Sequence, residues 1–158
     1  MKSNLVIGIL VVAVIGVIGA MAIQVFPQNS TPSEVLTSAT IYKSPSCGCC
    51  GQYAAYLEEK GYGIDIEGVA DMQVIKEQFD VPYELESCHT MEIDGYVVEG
   101  HIPEEAVLRL LTERPDIKGI GMAGMPSGSP GMPGPKTSDF VIYEITRDGA
   151  KGDVFMTI

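Results

Sequence analysis

The sequence predicts one α/β domain, a mixed sheet with flanking helices and an extra C-terminal strand pair, preceded by an N-terminal hydrophobic helix. Three observations predict it. Runs alternating apolar and polar at period two take turns with runs whose apolar residues recur at helical spacing, the order of a mixed sheet covered by helices. An Asp-Gly dipeptide between two alternating runs marks a hairpin at the centre. An uncharged apolar run opens a chain of 158 residues, which leaves room for one ordinary domain behind it.

Residues 5–26 carry no charged side chain and are long enough to cross a hydrocarbon core as a helix. Lys2 is the only charge ahead of them, which puts the amino terminus in the cytoplasm and the rest outside. Ala20-Met21-Ala22 also fits a signal-peptidase site, so a retained anchor and a cleaved signal peptide both follow from this segment. Continuation of the apolar run to Phe26 favours the anchor. Residues 28–38 are rich in Pro, Ser, Thr and Asn and read as a solvated linker. The expected division is therefore signal segment 1–27, linker 28–38 and folded domain 39–158, with an extracytoplasmic location, periplasmic or cell-surface.

Thr40, Ile41 and Tyr42 have strand composition and run into the turn cluster Lys43-Ser44-Pro45-Ser46. A helix follows, with Tyr53, Tyr56, Leu57 and Lys60 at helical spacing and Gly61 placed to end it. Residues 64–67 alternate as a strand, and Asp71 caps a short helix whose apolar side holds Met72, Val74, Ile75 and Phe79. Residues 90–93 and 96–99 flank Asp94-Gly95 as an antiparallel pair. Pro103 opens the next helix, Glu104 and Glu105 suit its positive end, and Val107, Leu108, Leu110 and Leu111 form its buried stripe. Residues 119–135 hold six Gly, four Pro and three Met with no period a core could use, which predicts a long loop. Residues 140–145 and 154–158 read as the final strand pair.

Charge narrows the partners. Beyond Lys2 the chain holds nine basic side chains against 21 acidic ones. Such a surface repels phosphate backbones, so nucleic acid is excluded as a partner, whereas cations and basic proteins are compatible with it.

The chain has four cysteines, and three of them lie in Cys47-Gly48-Cys49-Cys50 at the expected start of the first helix. Free N–H groups and the helix dipole there favour thiolate, the reactive and metal-binding form. Cys47 and Cys50 alone make a C-x-x-C pair that can cycle between dithiol and disulfide, with Cys47 as nucleophile and Cys50 as resolving sulfur. Cys49 has no use in that reaction, but a third soft sulfur has a use in a metal site, where gathered thiolates select Cu(I), with zinc and iron-sulfur clusters as competitors. Cys88 precedes the hairpin and is placed to join them, and neighbouring His89 offers an imidazole ligand or an orienting hydrogen bond. Two stabilising disulfides are the third reading of the same cysteines.

Met122, Met125 and Met132 on the Gly/Pro loop offer thioethers to copper, and for each of them packing explains the residue as well as ligation does. A structural, hydrogen-bonded role is the stronger reading of His101.

At these residues the chain resembles the CopG-type copper-resistance family, which is distinct from the ribbon-helix-helix repressor of the same name. The resemblance rests on Ser46-Cys47-Gly48-Cys49-Cys50-Gly51, on Ser87-Cys88-His89-Thr90, on residues 95–103, and on the loop around Gly124-Met125-Pro126 and Gly131-Met132. It implies a thioredoxin-like fold outside the cytoplasm and cysteine-bridged, multinuclear copper on Cys47, Cys49, Cys50 and Cys88, with Met125 and Met132 matching the family's loop methionines. It also implies a Cu(I)/Cu(II) redox role in copper resistance beside other copper-handling proteins.

Overall fold

A computed structural model describes residues 37–158. The expected membrane segment 5–26 and all but the last two residues of the expected linker lie outside the described residues. Among the described residues, no helix is long and apolar enough to cross a membrane.

Strand β1 (Ser38–Lys43) leads through a turn into helix α1 (Gly48–Glu59), and β2 (Gly63–Gly68) returns parallel to β1. Helix α2 (Met72–Gln78) and a short 3₁₀ turn (Tyr83–Leu85) follow. The hairpin β3 (His89–Ile93) and β4 (Tyr96–Glu99), helix α3 (Glu104–Glu113), and strands β5 (Gly119–Gly121), β6 (Val141–Ile145) and β7 (Lys151–Thr157) complete the chain. The seven strands form one mixed sheet in the order β2-β1-β3-β4-β5-β6-β7. The β1-α1-β2 unit joined to the β3-β4 hairpin and α3 is the thioredoxin-like part, and β6-β7 is the extra strand pair.

Local chemistry accounts for the element ends. Asp71 is the N-cap of α2, its carboxylate accepting the Gln73 N–H at 3.0 Å. Asp94 and Gly95 both take positive φ (49° and 80°), as a two-residue hairpin turn with right-handed twist requires. Gly61, also at positive φ, follows α1.

The sheet buries both faces. Ile41, Met91, Ile93, Val98, Ile120 and Ile142 pack with Tyr53, Ala54 and Leu57 of α1 and Ala106, Val107 and Leu110 of α3. Each such aliphatic side chain contributes about 1.5–3 kcal/mol on full burial. Val97 points the other way, as strand alternation demands, into a smaller cluster with Val81, Leu85 and Ile145.

Three expectations are corrected. The stretch 119–135 is not all loop, because Gly119-Ile120-Gly121 forms β5, parallel to β4 and antiparallel to β6. A side chain at 119 would collide with the Val97 carbonyl, so what reads as loop glycine is the condition for two strands to meet. Leu108 is exposed while Ala106 takes a buried place on α3. Val74 is exposed as well, and Ile75 with the stem of Lys76 covers the sheet instead.

Candidate metal centre

The turn at residues 44–47 is closed by the Cys47 N–H donating to the Ser44 carbonyl at 2.9 Å, and this sets Cys47 as the N-cap of α1. Its side chain makes no capping hydrogen bond, and its sulfur is carried at the end of the helix where the first N–H groups have no intrahelical partner. Register brings the fourth sulfur there. β3 runs antiparallel to β1 with His89 opposite Lys43, so the residue before His89 lies beside the turn that leaves β1.

The four sulfurs converge. All lie within 4.8 Å of one another, and Cys88 Sγ is 3.5 Å from Cys50 Sγ and 4.0 Å from Cys49 Sγ. Cys49 Sγ is 3.5 Å from Cys47 Sγ. Cys47 and Cys50 are joined as a disulfide, whereas Cys49 and Cys88 are free thiols. Cys50 is fully buried and the other three are half-buried.

Cys88 belongs to a second group with two imidazoles, His89 and His101. Its sulfur is 3.0 Å from His101 Nε2 and 3.5 Å from His89 Nδ1. His101 Nδ1 lies 2.7 Å from the Pro130 carbonyl oxygen, which only accepts, so the ring proton sits on Nδ1 and the Nε2 lone pair faces the sulfur. A carbonyl fixing the far nitrogen in this way is the usual support of a ligating histidine. Both histidines are buried, and their rings meet edge-on at 4.8 Å.

The electrostatics keep the imidazoles neutral. Burial, helped by His101 and the Lys76 ammonium, pushes His89 down to about 3. Burial also lowers His101, partly offset by its bond to Pro130. Burial raises the Cys88 thiol to about 12, and the charge of Cys49 adds to the rise. His89 Nε2 is buried with no hydrogen-bond partner, a cost of about 1–3 kcal/mol in a finished polar network.

The Gly/Pro loop closes over this corner. Gly124 accepts from the Ser87 hydroxyl at 2.5 Å and donates its N–H to the Glu86 carbonyl at 3.1 Å. Gly131, at φ 78°, presses on the first turn of α1 so closely that a Cβ there would stand 2.9 Å from the Cys49 carbonyl oxygen. The loop methionines differ in placement. Met122 lies in the main core, Met125 is exposed, and Met132 is half-buried in an open groove with Gln52, Tyr56 and Glu59.

The DUF411 family model, a protein family of unknown function, matches residues 85–132, the stretch that carries Cys88, both histidines and the loop. A solved structure titled copper resistance protein CopG, Form 2, is 36% identical over 77% of this chain and 98% of its own, with a TM-score of 0.71. The Form 1 structure of that title is 37% identical over 77% of this chain and 96% of its own, with a TM-score of 0.70. The chain belongs to the CopG copper-resistance family. No curated protein matches it.

In this CopG-family chain His101 has the hydrogen bond expected of a structural histidine, to Pro130, and its other nitrogen stands beside Cys88, a neighbour not expected from the sequence. A signal was available, because pairing Thr90 with Glu99 across the hairpin carries residues 100 and 101 alongside 88 and 89. The donor set fits a soft metal ion: sulfurs from two stretches of chain and neutral imidazole nitrogen within one small volume. It also permits thiol-disulfide exchange, since Cys47 and Cys50 already form a bond at a helix N-terminus.

Proposed function

We propose that this chain binds copper as Cu(I) outside the cytoplasm, through the thiolates of Cys47, Cys49, Cys50 and Cys88, in the service of copper resistance. One observation carries the reading: four sulfurs from positions 39 residues apart in sequence gather within ligand distance of each other. Packing alone gives no reason to place a free Cys49 beside a free Cys88 and a disulfide. Cys88, shared between the sulfur group and the imidazole group, suits a bridging ligand, which supports more than one copper per chain. His101 is the favoured nitrogen donor, His89 the second, and Met125 and Met132 are thioether candidates from the loop.

Loading requires reduction of the Cys47–Cys50 disulfide, so copper binding and thiol redox state are linked. That linkage supports a further role in interconverting Cu(I) and Cu(II). Copper would supply one-electron chemistry, while the chain would supply soft ligands and a site walled by α1 and the Gly/Pro loop. The apolar segment 5–26 supports placement outside the cytoplasm, anchored or released, with 39–158 as the copper-binding domain beside other copper-handling proteins.

The disulfide favours one alternative, a thiol-disulfide oxidoreductase using Cys47 and Cys50 as its catalytic pair. Reduced protein titrated with Cu(I) under a competing chelator separates the two. The copper reading expects uptake that drops with Cys49→Ala and X-ray absorption dominated by sulfur neighbours. Insulin reduction that survives Cys49→Ser and Cys88→Ser, with no copper uptake by the parent, would establish the oxidoreductase in its place.

A further inference from the structure

Behind the thiol corner, on the opposite face of the sheet, lies a charged group that the copper reading does not use. Glu99 is fully buried, and its carboxylate accepts three hydrogen bonds: from Lys76 Nζ at 2.5 Å, the Ser87 N–H at 2.6 Å and the Thr90 hydroxyl at 2.6 Å. Lys76 is itself only 5% exposed. A buried ion pair is weak evidence for stability, since apolar residues of the same size commonly do as well. Its position suggests another use. Ser87 and Thr90 bracket Cys88 and His89, so one carboxylate grips both ends of the dipeptide that carries a thiol and an imidazole.

The next residues extend the grip. Gly100 donates its N–H to the His89 carbonyl at 3.1 Å, and its φ of 86° turns the chain so that His101 reaches Cys88. A Cβ at 100 would stand 2.8 Å from Ser87 Cβ, so only glycine lets these strands close. Resting on the copper reading, we infer that Glu99 is a positioning residue: it clasps residues 87–90 so that Cys88 is held against Cys50, Cys49 and His101, with Lys76 as its counter-ion. The clasp works through hydrogen-bond geometry rather than through charge at the metal.

Paired variants of the full chain separate geometry from charge. Lys76→Met with Glu99→Gln keeps acceptor oxygen and leaves no buried charge unpaired, whereas Lys76→Met with Glu99→Leu removes the clasp. Copper-loaded Gln variant is expected to match the parent in sulfur neighbours per copper by X-ray absorption and in dependence on Cys88. The Leu variant, with circular dichroism like the parent's, is expected to lose sulfur neighbours and to become indifferent to Cys88→Ser. Equal sulfur counts in both variants overturn the clasp.

A parent that binds no copper sinks the copper reading alone. The clasp is then judged on reduced, metal-free protein by the alkylation rate of Cys88, read by mass spectrometry. A rise of about tenfold in the Leu variant over the Gln variant supports it, and equal rates overturn it. If the Leu variant does not fold, Thr90→Val removes one arm and leaves the ion pair in place. An alkylation rise of about threefold supports the clasp in that case, and a rate equal to the parent's overturns it.

Discussion

Cys88 and His101 meet with Sγ 3.0 Å from Nε2, although 12 residues separate them along the chain. The β3-β4 hairpin brings them together, and the Pro130 carbonyl fixes the imidazole so that its lone pair faces the sulfur. The thiol corner therefore depends on three parts of the fold at once: the α1 N-terminus, the hairpin and the Gly/Pro loop.

Cys88→Ser removes the only donor common to the sulfur and imidazole groups. Its effect on copper stoichiometry is expected to exceed that of Cys47→Ser, Cys49→Ser or Cys50→Ser taken singly. Chelator-competition titrations of the four variants check this. A Cys88→Ser protein that still takes up the parent's complement of Cu(I) would remove residue 88 from the site.

His101→Phe keeps a ring in the place that packs against Tyr53 and His89 but takes away the nitrogen beside Cys88. A loss in Cu(I) affinity of about tenfold or more is expected, with the melting temperature of the metal-free protein little changed. Were the histidine merely a hydrogen-bonded core residue, the order of effects would reverse, with stability falling and affinity holding.

The sequence carried most of the fold because its periodic signals agree with one another. Asp94-Gly95 gives the hairpin, Asp71 the start of α2, and the helical spacing of Tyr53, Tyr56, Leu57 and Lys60 gives α1, which buries Tyr53, Ala54 and Leu57. Strand β5 was illegible, since two of its three residues are glycines that carry no pattern of their own, Gly119 set by the closeness of the Val97 backbone and Gly121 packed against the Leu85 side chain. The cysteine positions were legible through the softness and number of the sulfurs. The Glu99 network and the partner of His101 were not, because each arises from pairings between strands that no local window contains.

Gly131 couples the loop to α1. At φ 78°, and with a Cβ due to stand 2.7 Å from the Tyr53 backbone nitrogen, Gly131→Ala suffers both backbone strain and collision. Strain of this kind costs about 1–3 kcal/mol. The substitution should lift residues 130–132 off the helix and loosen the Pro130 bond to His101, with copper affinity falling about 10–100-fold. Urea unfolding and copper competition on the same protein check both effects. Gly124→Ala, where a Cβ meets nothing within 4 Å, carries the positive-φ strain without the collision and serves as the control.

His89 makes metal-free, reduced protein sensitive to acid. Its folded value is held near 3 by burial, by His101 and by Lys76, against 6.5 for an unperturbed imidazole. Between those values the unfolded chain takes up a proton that the folded chain refuses, so stability rises with pH through the window and is lost as pH falls. The slope from this one group reaches about 1.4 kcal/mol per pH unit. Glu99 works in the opposite sense, because burial raises its carboxyl and a folded-state proton is then held more tightly than an unfolded one. The informative quantity is thus the difference between the parent and His89→Phe, which keeps the ring beside Tyr53 and deletes the unpartnered Nε2. Urea unfolding at pH 7 and pH 4 is expected to show the parent losing more stability than the variant, and parallel losses would mean that His89 carries no proton-linked burden.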